Sequence, residues 1–472
     1  MRRFLSIILA FCLMGSSLFA QVWFNNGSPD GFRVYQTTQS HALKQVHSTP
    51  FTIHGYSQLT SIDLDASPVS HNYLGCGISL TDASCYLLSQ MPPSLRNSVL
   101  RDIFTPAGLN LSMVRLNCGA SDYATELYDY DDTPDDVAMK HFCIDRDKYY
   151  MIPLIKEVLS VQPSLFVYSS IWSCPGWMKS SGAMCGGSLL EKYEEAFAAY
   201  WTAYLKAYRA EGITIDAITV QNEPRTDQGG GCPATLVEGA QEARIAGKYL
   251  PRDFKKAGLK TRIWVFDHNY TPRHLEHLTT LLSDKAVQKN AEAIAWHPYS
   301  GSVEFMDSIH RQYPVFDMHL TERGPNYVAS DTQTEFWFAK LIFESLNHGC
   351  KSYSGWNLVL DPDGQPNTGK FPCAGLISYD METGKIELSR QYSVFKQFCP
   401  YVQRGAKILS IAQPDPELVC IAFRNPDGSK VVSVAYGGSR KERKRVQIKN
   451  NDKYLALCLP LGTWSLTTVV ID

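Results

Sequence analysis

Between residues 73 and 358 the chain repeats one pattern eight times, a short strand-like apolar run followed by an amphipathic helical stretch. The runs are 73–80, 111–116, 165–171, 217–220, 262–266, 293–296, 317–321 and 352–358. Helical periodicity lies between them, for example at 92–103, 150–159, 193–210 and 332–347. Alternation of this kind is the signature of βα units. Eight such units inside roughly 300 residues predict an α/β fold, a (β/α)8 TIM barrel.

The flanks are written differently. Residues 21–70 carry short alternating runs such as 32–35 and 51–53, set off by Asn-Gly and Pro-Asp-Gly turn signals. After residue 390 the runs 407–411, 418–423, 430–436, 444–448 and 464–470 are again split by turn residues. These predict a C-terminal β-sandwich over 390–472, completed by N-terminal strands from 21–70 and attached to a catalytic barrel over 71–389. The basic run 440–445 reads as a solvated hairpin tip.

Residues 1–20 read as a cleavable signal peptide. Arg2 and Arg3 precede an apolar stretch too short to span a bilayer, and Ala20 ends a small-residue cleavage region. The expectation is a secreted or periplasmic protein without stable membrane insertion. A formal net charge of −2 gives no steering toward nucleic acid. Thirteen cysteines, Cys12 among them, show no zinc-type spacing. Export permits disulfides, and a Cys174–Cys185 link would brace a loop near the mouth, although sequence leaves the pairing open. Oligomeric state is not legible.

The chemistry is carried by the residues at the strand ends. The runs end in Thr81-Asp82, in Asn117 and later Asp122, in Trp172, in Asn222-Glu223, in Asp267-His268-Asn269, in His297-Pro298-Tyr299, in Glu322-Arg323 and in Trp356-Asn357. A carboxylate at the end of a buried strand is costly unless it has partners. In a parallel barrel all eight strand ends meet at one mouth, where chemistry is done. Two glutamates from two strands are what a retaining glycosidase needs. Glu223 is assigned as general acid/base, with its pKa expected to be raised by a neighbouring carboxylate and partial desolvation. Glu322 is the nucleophile and needs donors, which Arg115, His297 or Tyr299 can supply. Asp82 and Trp172 would grip sugar hydroxyls, Asn222 would neighbour one, and Trp356 would form a stacking wall. His268 and His297 lack a third ligand at a suitable spacing, so no metal and no cofactor are expected.

Several motifs together resemble glycoside hydrolase family 30, which includes glucosylceramidases. They are the stretches 75–83 (GCGISLTDA), 128–136 (YDYDDTPDD), 172–179 (WSCPGWMK), 221–224 (QNEP), 296–299 (WHPY) and 355–358 (GWNL). The resemblance implies a barrel with an attached β-domain and retaining hydrolysis of β-linkages. By position it implies Glu223 as acid/base, Glu322 as nucleophile, and Asp82, Trp172, Asn222 and Trp356 in the sugar subsite. Cys76, Ile78, the segment 323–325 and the loop 227–238 depart from the family pattern. The expectation is a retaining β-glucosidase of glucosylceramidase type acting on a carbohydrate or glycolipid. An endo-β-1,6-glucanase or β-xylosidase of the same family is the alternative, and a non-catalytic glycan-binding protein is a remote one.

Overall fold

The computed structural model describes residues 32–46, 60–70, 72–227, 231–326, 334–369, 371–412, 415–438, 444–451, 453–460 and 462–472. The leader, the run at 51–53, most of the basic run and residues 228–230 of the loop 227–238 lie outside the described residues.

All eight expected barrel strands form. They are β1 Gly75–Leu80, β2 Met113–Asn117, β3 Phe166–Ser170, β4 Ala217–Thr219, β5 Arg262–Asn269, β6 Ala293–His297, β7 Asp317–Leu320 and β8 Cys350–Gly355. Each pairs in parallel with its sequence neighbour, and β8 closes on β1 with Ser352 opposite Gly75. The first strand tolerates this crowding because Gly77 has no side chain. A Cβ there would meet the Met113 Cβ at 2.7 Å.

Side chains two residues apart on a strand face the same side, so the barrel interior is filled in layers. The lower layer contains Met113, Phe166, Tyr168, Ala217, Trp264, Ala293 and Ala295. Trp264 stacks on Phe166 at 5.6 Å and on the His319 ring at 4.0 Å. One step toward the C-terminal ends of the strands, the same columns present Arg115, Ser170, Thr219, His297 and Thr321, all buried. An apolar plug thus underlies a polar layer, which places the site above a closed floor.

Strict alternation on β5 would put Phe266 into that polar layer after Trp264. It does not, because Phe266 and Asp267 have φ of 75° and 49°. The register against β6 slips at the same place, with Val265 opposite Ile294 and His268 opposite Trp296. This is a β-bulge, which inserts one residue and re-aims those beyond it. Phe266 turns out among the rings of His274, His277 and Trp296. Asp267 turns in.

The strands Val359–Leu360, Ile377–Tyr379 and Ile386–Leu388 form a small sheet of their own, and the other described strands build two further sheets. The larger has seven strands in the order His41–Val46, Phe32–Thr38, Ser465–Ile471, Lys430–Tyr436, Leu418–Arg424, Lys407–Leu409 and Pro68–Ser70. The smaller joins Lys453–Cys458, Arg445–Asn450 and Thr60–Asp63. N-terminal and C-terminal strands therefore share both sheets, as expected. Val34, Val432, Val434 and Val469 of the large sheet pack on Ile62, Val446 and Ile448 of the small one. The alternate residues Val431, Ala435 and Phe423 face the other way, into the barrel's core cluster. Asn347, at the end of the helix Glu335–Asn347, donates to the Cys420 carbonyl at 2.8 Å and ties the two parts together.

Candidate active site

The two glutamates do emerge beside one another at the barrel mouth, each held by its own set of donors. Glu322 comes after β7 and is 7% exposed. Arg115 Nη1 donates to its Oε2 at 2.5 Å, and the Tyr299 hydroxyl donates to its Oε1 at 2.7 Å. Of the three expected donors, His297 is the one that serves elsewhere. Its Nε2 stands 3.8 Å from Glu322 Oε2, while its two nitrogens reach other carboxylates.

Glu223 comes after β4 with a left-handed φ of 44°, and its N–H donates to the Asp267 carbonyl at 3.0 Å. The bulge on β5 thus fixes the backbone that carries this glutamate. Its Oε1 lies 3.0 Å from His297 Nδ1, 3.5 Å from His268 Nδ1 and 3.5 Å from Asn269 Nδ2.

Beneath both glutamates sits Asp267, a strand-end residue to which the sequence alone attached no role. It is fully buried, and its carboxylate accepts five hydrogen bonds. Arg115 Nη2, Ser170 Oγ and Thr219 Oγ1 donate to Oδ2 at 2.6, 2.8 and 2.6 Å. His297 Nε2 and Thr321 Oγ1 donate to Oδ1 at 3.1 and 2.6 Å. A buried ion this well supplied with donors recovers its desolvation cost only through that geometry. The sequence signal was available as an aspartate ending an apolar strand, but its inward direction depends on the bulge.

These contacts reverse one expectation. Burial by itself would raise the Glu223 carboxyl, but His268 and His297 outweigh it and hold the group well below the usual carboxylate range. The anticipated upward shift counted the neighbouring carboxylates and missed the two imidazoles. His297 moves the other way. Burial disfavours its cation, yet Glu322 and Asp267 overcome that and push it up to about 10. Asp267 is likewise raised by burial and carried far below its ordinary value by Arg115 and His297.

Above the charges lies a cavity of about 390 Å³, a size suited to a small ligand. Glu223, Glu322, Asn222, Tyr299, Trp172 and Trp356 all line it. The two tryptophans stack at 5.1 Å, and the Arg115 guanidinium lies over Trp172 at 4.8 Å. Asn222 accepts from Arg115 Nη2 at 3.0 Å. Arg115 is fully buried directly below, shared among Glu322, Asp267 and Asn222.

Two residues expected to bind substrate, Asp82 and His297, do not line the cavity, and Asp82 is engaged elsewhere. Its carboxylate is taken up by Arg146 at 2.6 Å, the Tyr150 hydroxyl at 2.7 Å and the Thr125 N–H at 2.8 Å. It also begins the helix Asp82–Gln90, where a negative charge is favourable. Asp122 stands in the cavity wall instead, with Oδ1 lacking a hydrogen-bond partner among the described residues. Burial, with repulsion from Glu322 and Glu223, pushes its carboxyl well up. Both aspartates follow strand runs in the sequence, and only the folded chain distinguishes the one that faces the mouth.

The Cys174–Cys185 link does not form. Cys174 and Cys185 are both free thiols, and Cys174 lies against Thr235 Oγ1 at 3.8 Å. Among the described residues no group of three or more His, Cys, Asp or Glu is placed to hold a metal ion, and no helix is long and apolar enough to cross a membrane.

Paired glutamates at the C-terminal mouth of a closed β/α barrel, under a cavity walled by tryptophan, define a glycoside hydrolase. The chain belongs to glycosyl hydrolase family 30, whose TIM-barrel domain matches residues 74–382. It is 29% identical over 422 residues to the endo-1,6-β-D-glucanase of Neurospora crassa, covering 86% of this chain and 85% of that protein. It is 24% identical over 385 residues to the lysosomal acid glucosylceramidase of Mus musculus, covering 76% and 74%. An endo-β1,6-glucanase of known structure superposes with a TM-score of 0.84 at 26% identity, over 94% of this chain and 99% of the other.

Proposed function

We propose that this glycoside hydrolase is an endo-acting β-1,6-glucanase that works with retention, with Glu223 as acid/base and Glu322 as nucleophile. The observation that carries the substrate is the near full-length likeness to an endo-β1,6-glucanase, in both sequence and superposed structure. The likeness to a glucosylceramidase is lower in identity and covers less of the chain. A polysaccharide is therefore preferred to the glycolipid expected from the motifs.

In the first half-reaction the Glu322 carboxylate attacks the anomeric carbon while Glu223 delivers a proton to the departing oxygen. In the second, Glu223 takes a proton from water, which displaces Glu322. Arg115 and Tyr299 keep the attacking carboxylate in position. Trp172 and Trp356 wall the sugar pocket, and Asp122 offers its unpartnered oxygen to a sugar hydroxyl. Export through the 1–20 leader belongs to the same proposal and is checked by the N-terminus of the mature protein.

The test is the product profile from soluble β-1,6-glucan, with Glu322→Ala as control. A ladder of oligosaccharides that is missing in the control supports the assignment. Glucose as the sole product, or cleavage of glucosylceramide with the glucan untouched, would overturn the endo-glucanase assignment.

A further inference from the structure

Among the described contacts the two glutamates make no hydrogen bond with each other, and Asp267 is linked to both through their partners. Asp267 Oδ2 holds Arg115, which holds Glu322. Asp267 Oδ1 holds His297, which holds Glu223, and the Asp267 carbonyl holds the Glu223 N–H. Both atoms facing the His297 ring are carboxyl oxygens, so with both carboxyls ionised both ring nitrogens donate and the ring carries a second proton. A neutral imidazole would leave a nitrogen lone pair against one of the carboxylates.

We propose that Asp267 and His297 are positioning residues that act as a pair behind Glu223, with the leaving-group proton resting on His297 Nδ1 in the free enzyme and Asp267 keeping it there. The inference rests on the assignment of Glu223 as acid/base. The proton moves from His297 Nδ1 to Glu223 Oε1 and on to the glycosidic oxygen as its bond to the anomeric carbon breaks and the Glu322 ester forms. His297 is then neutral, and its Nε2–H stays on Asp267. In the second half-reaction Glu223 takes a proton from water as the ester bond breaks and returns it to His297. The charged or titratable groups around this path are Glu322 at 3.8 Å from His297, Arg115 on the far side of Asp267, His268 beside Glu223, Tyr299, and Asp122 across the cavity. The high proton affinity of His297 agrees with the geometry.

The test is the pH dependence of kcat/KM for Asp267→Asn, which reports groups in the free enzyme. Without the Asp267 charge His297 loses its proton more easily, so the alkaline limb should move to lower pH by about one unit or more. His297→Gln should show a displaced limb as well, and the double variant should add nothing further to the single His297→Gln. A uniform loss of kcat with the limb unmoved would mean that Asp267 is only structural and would overturn the proposal. Circular dichroism checks the fold. If Asp267→Asn does not fold, His297→Gln decides alone, because it leaves Asp267 and Arg115 in place. An unmoved limb there overturns the proposal too. Glu223→Ala separates the two levels, since ordinary activity in that variant would sink the acid/base assignment itself.

Discussion

His297 stands between Glu223 and Asp267, with Nδ1 3.0 Å from the first carboxylate and Nε2 3.1 Å from the second. This bridge ties folding to pH. His297 is pushed up to about 10 in the folded protein, against about 6.5 in an unfolded chain. A raised group contributes stability that is fully present below its unfolded value and is lost as pH rises through its folded value. The stability advantage of the wild type over His297→Gln should therefore be largest below about pH 6.5 and shrink toward about pH 10. Chemical denaturation across that range measures it, and a constant difference would contradict the account. Glu223 and Asp267, both depressed, act at the other end. Their contribution is present above about pH 4 and disappears as pH falls further.

Glu322→Ala should lower kcat by roughly a thousandfold or more while circular dichroism stays native. With the wild type, proton NMR should show the β-anomer forming first. An initial α-anomer would mean inversion and would remove the nucleophile role.

The two aspartates should separate cleanly. Asp122→Asn should cut kcat/KM by roughly tenfold with little change in melting temperature, through loss of a hydrogen bond to the sugar. Asp82→Asn should instead cost about 1–2 kcal/mol of stability by weakening the hold on Arg146, which keeps Glu126, with turnover per folded molecule nearly intact. Thermal melts and steady-state kinetics on both variants check this. The reverse pattern would restore Asp82 to the sugar subsite.

Arg115→Met should destabilise the fold by about 3–5 kcal/mol, because Asp267 and Glu322 would share a buried space without their common cation. Urea unfolding at neutral pH reads the change. A loss below about 1 kcal/mol would mean that solvent reaches these carboxylates.

Much of the architecture could be read from neighbouring residues. The strand runs that open at 217, 293 and 317 begin barrel strands at those same positions, because apolar content and turn residues are local properties. The fifth apolar run ends at Phe266, whereas the strand continues to Asn269. Its bulge depends on the pairing partner β6 and on Glu242, whose Oε1 accepts the Phe266 N–H at 2.7 Å. No local pattern carries that information.

By itself, then, the sequence determined the barrel, its flanking β-strands, the family and the strand ends that converge at the mouth. Periodicity and short motifs survive in any conformation of the chain, so they can be read without one. Only the tertiary structure decided that Asp122 rather than Asp82 faces the cavity, that Asp267 underlies both glutamates, and that Glu223 is held low instead of high. Each of these depends on which distant side chains share one buried space. There the field of a neighbouring charge is strong, and a single bulge chooses which residue feels it.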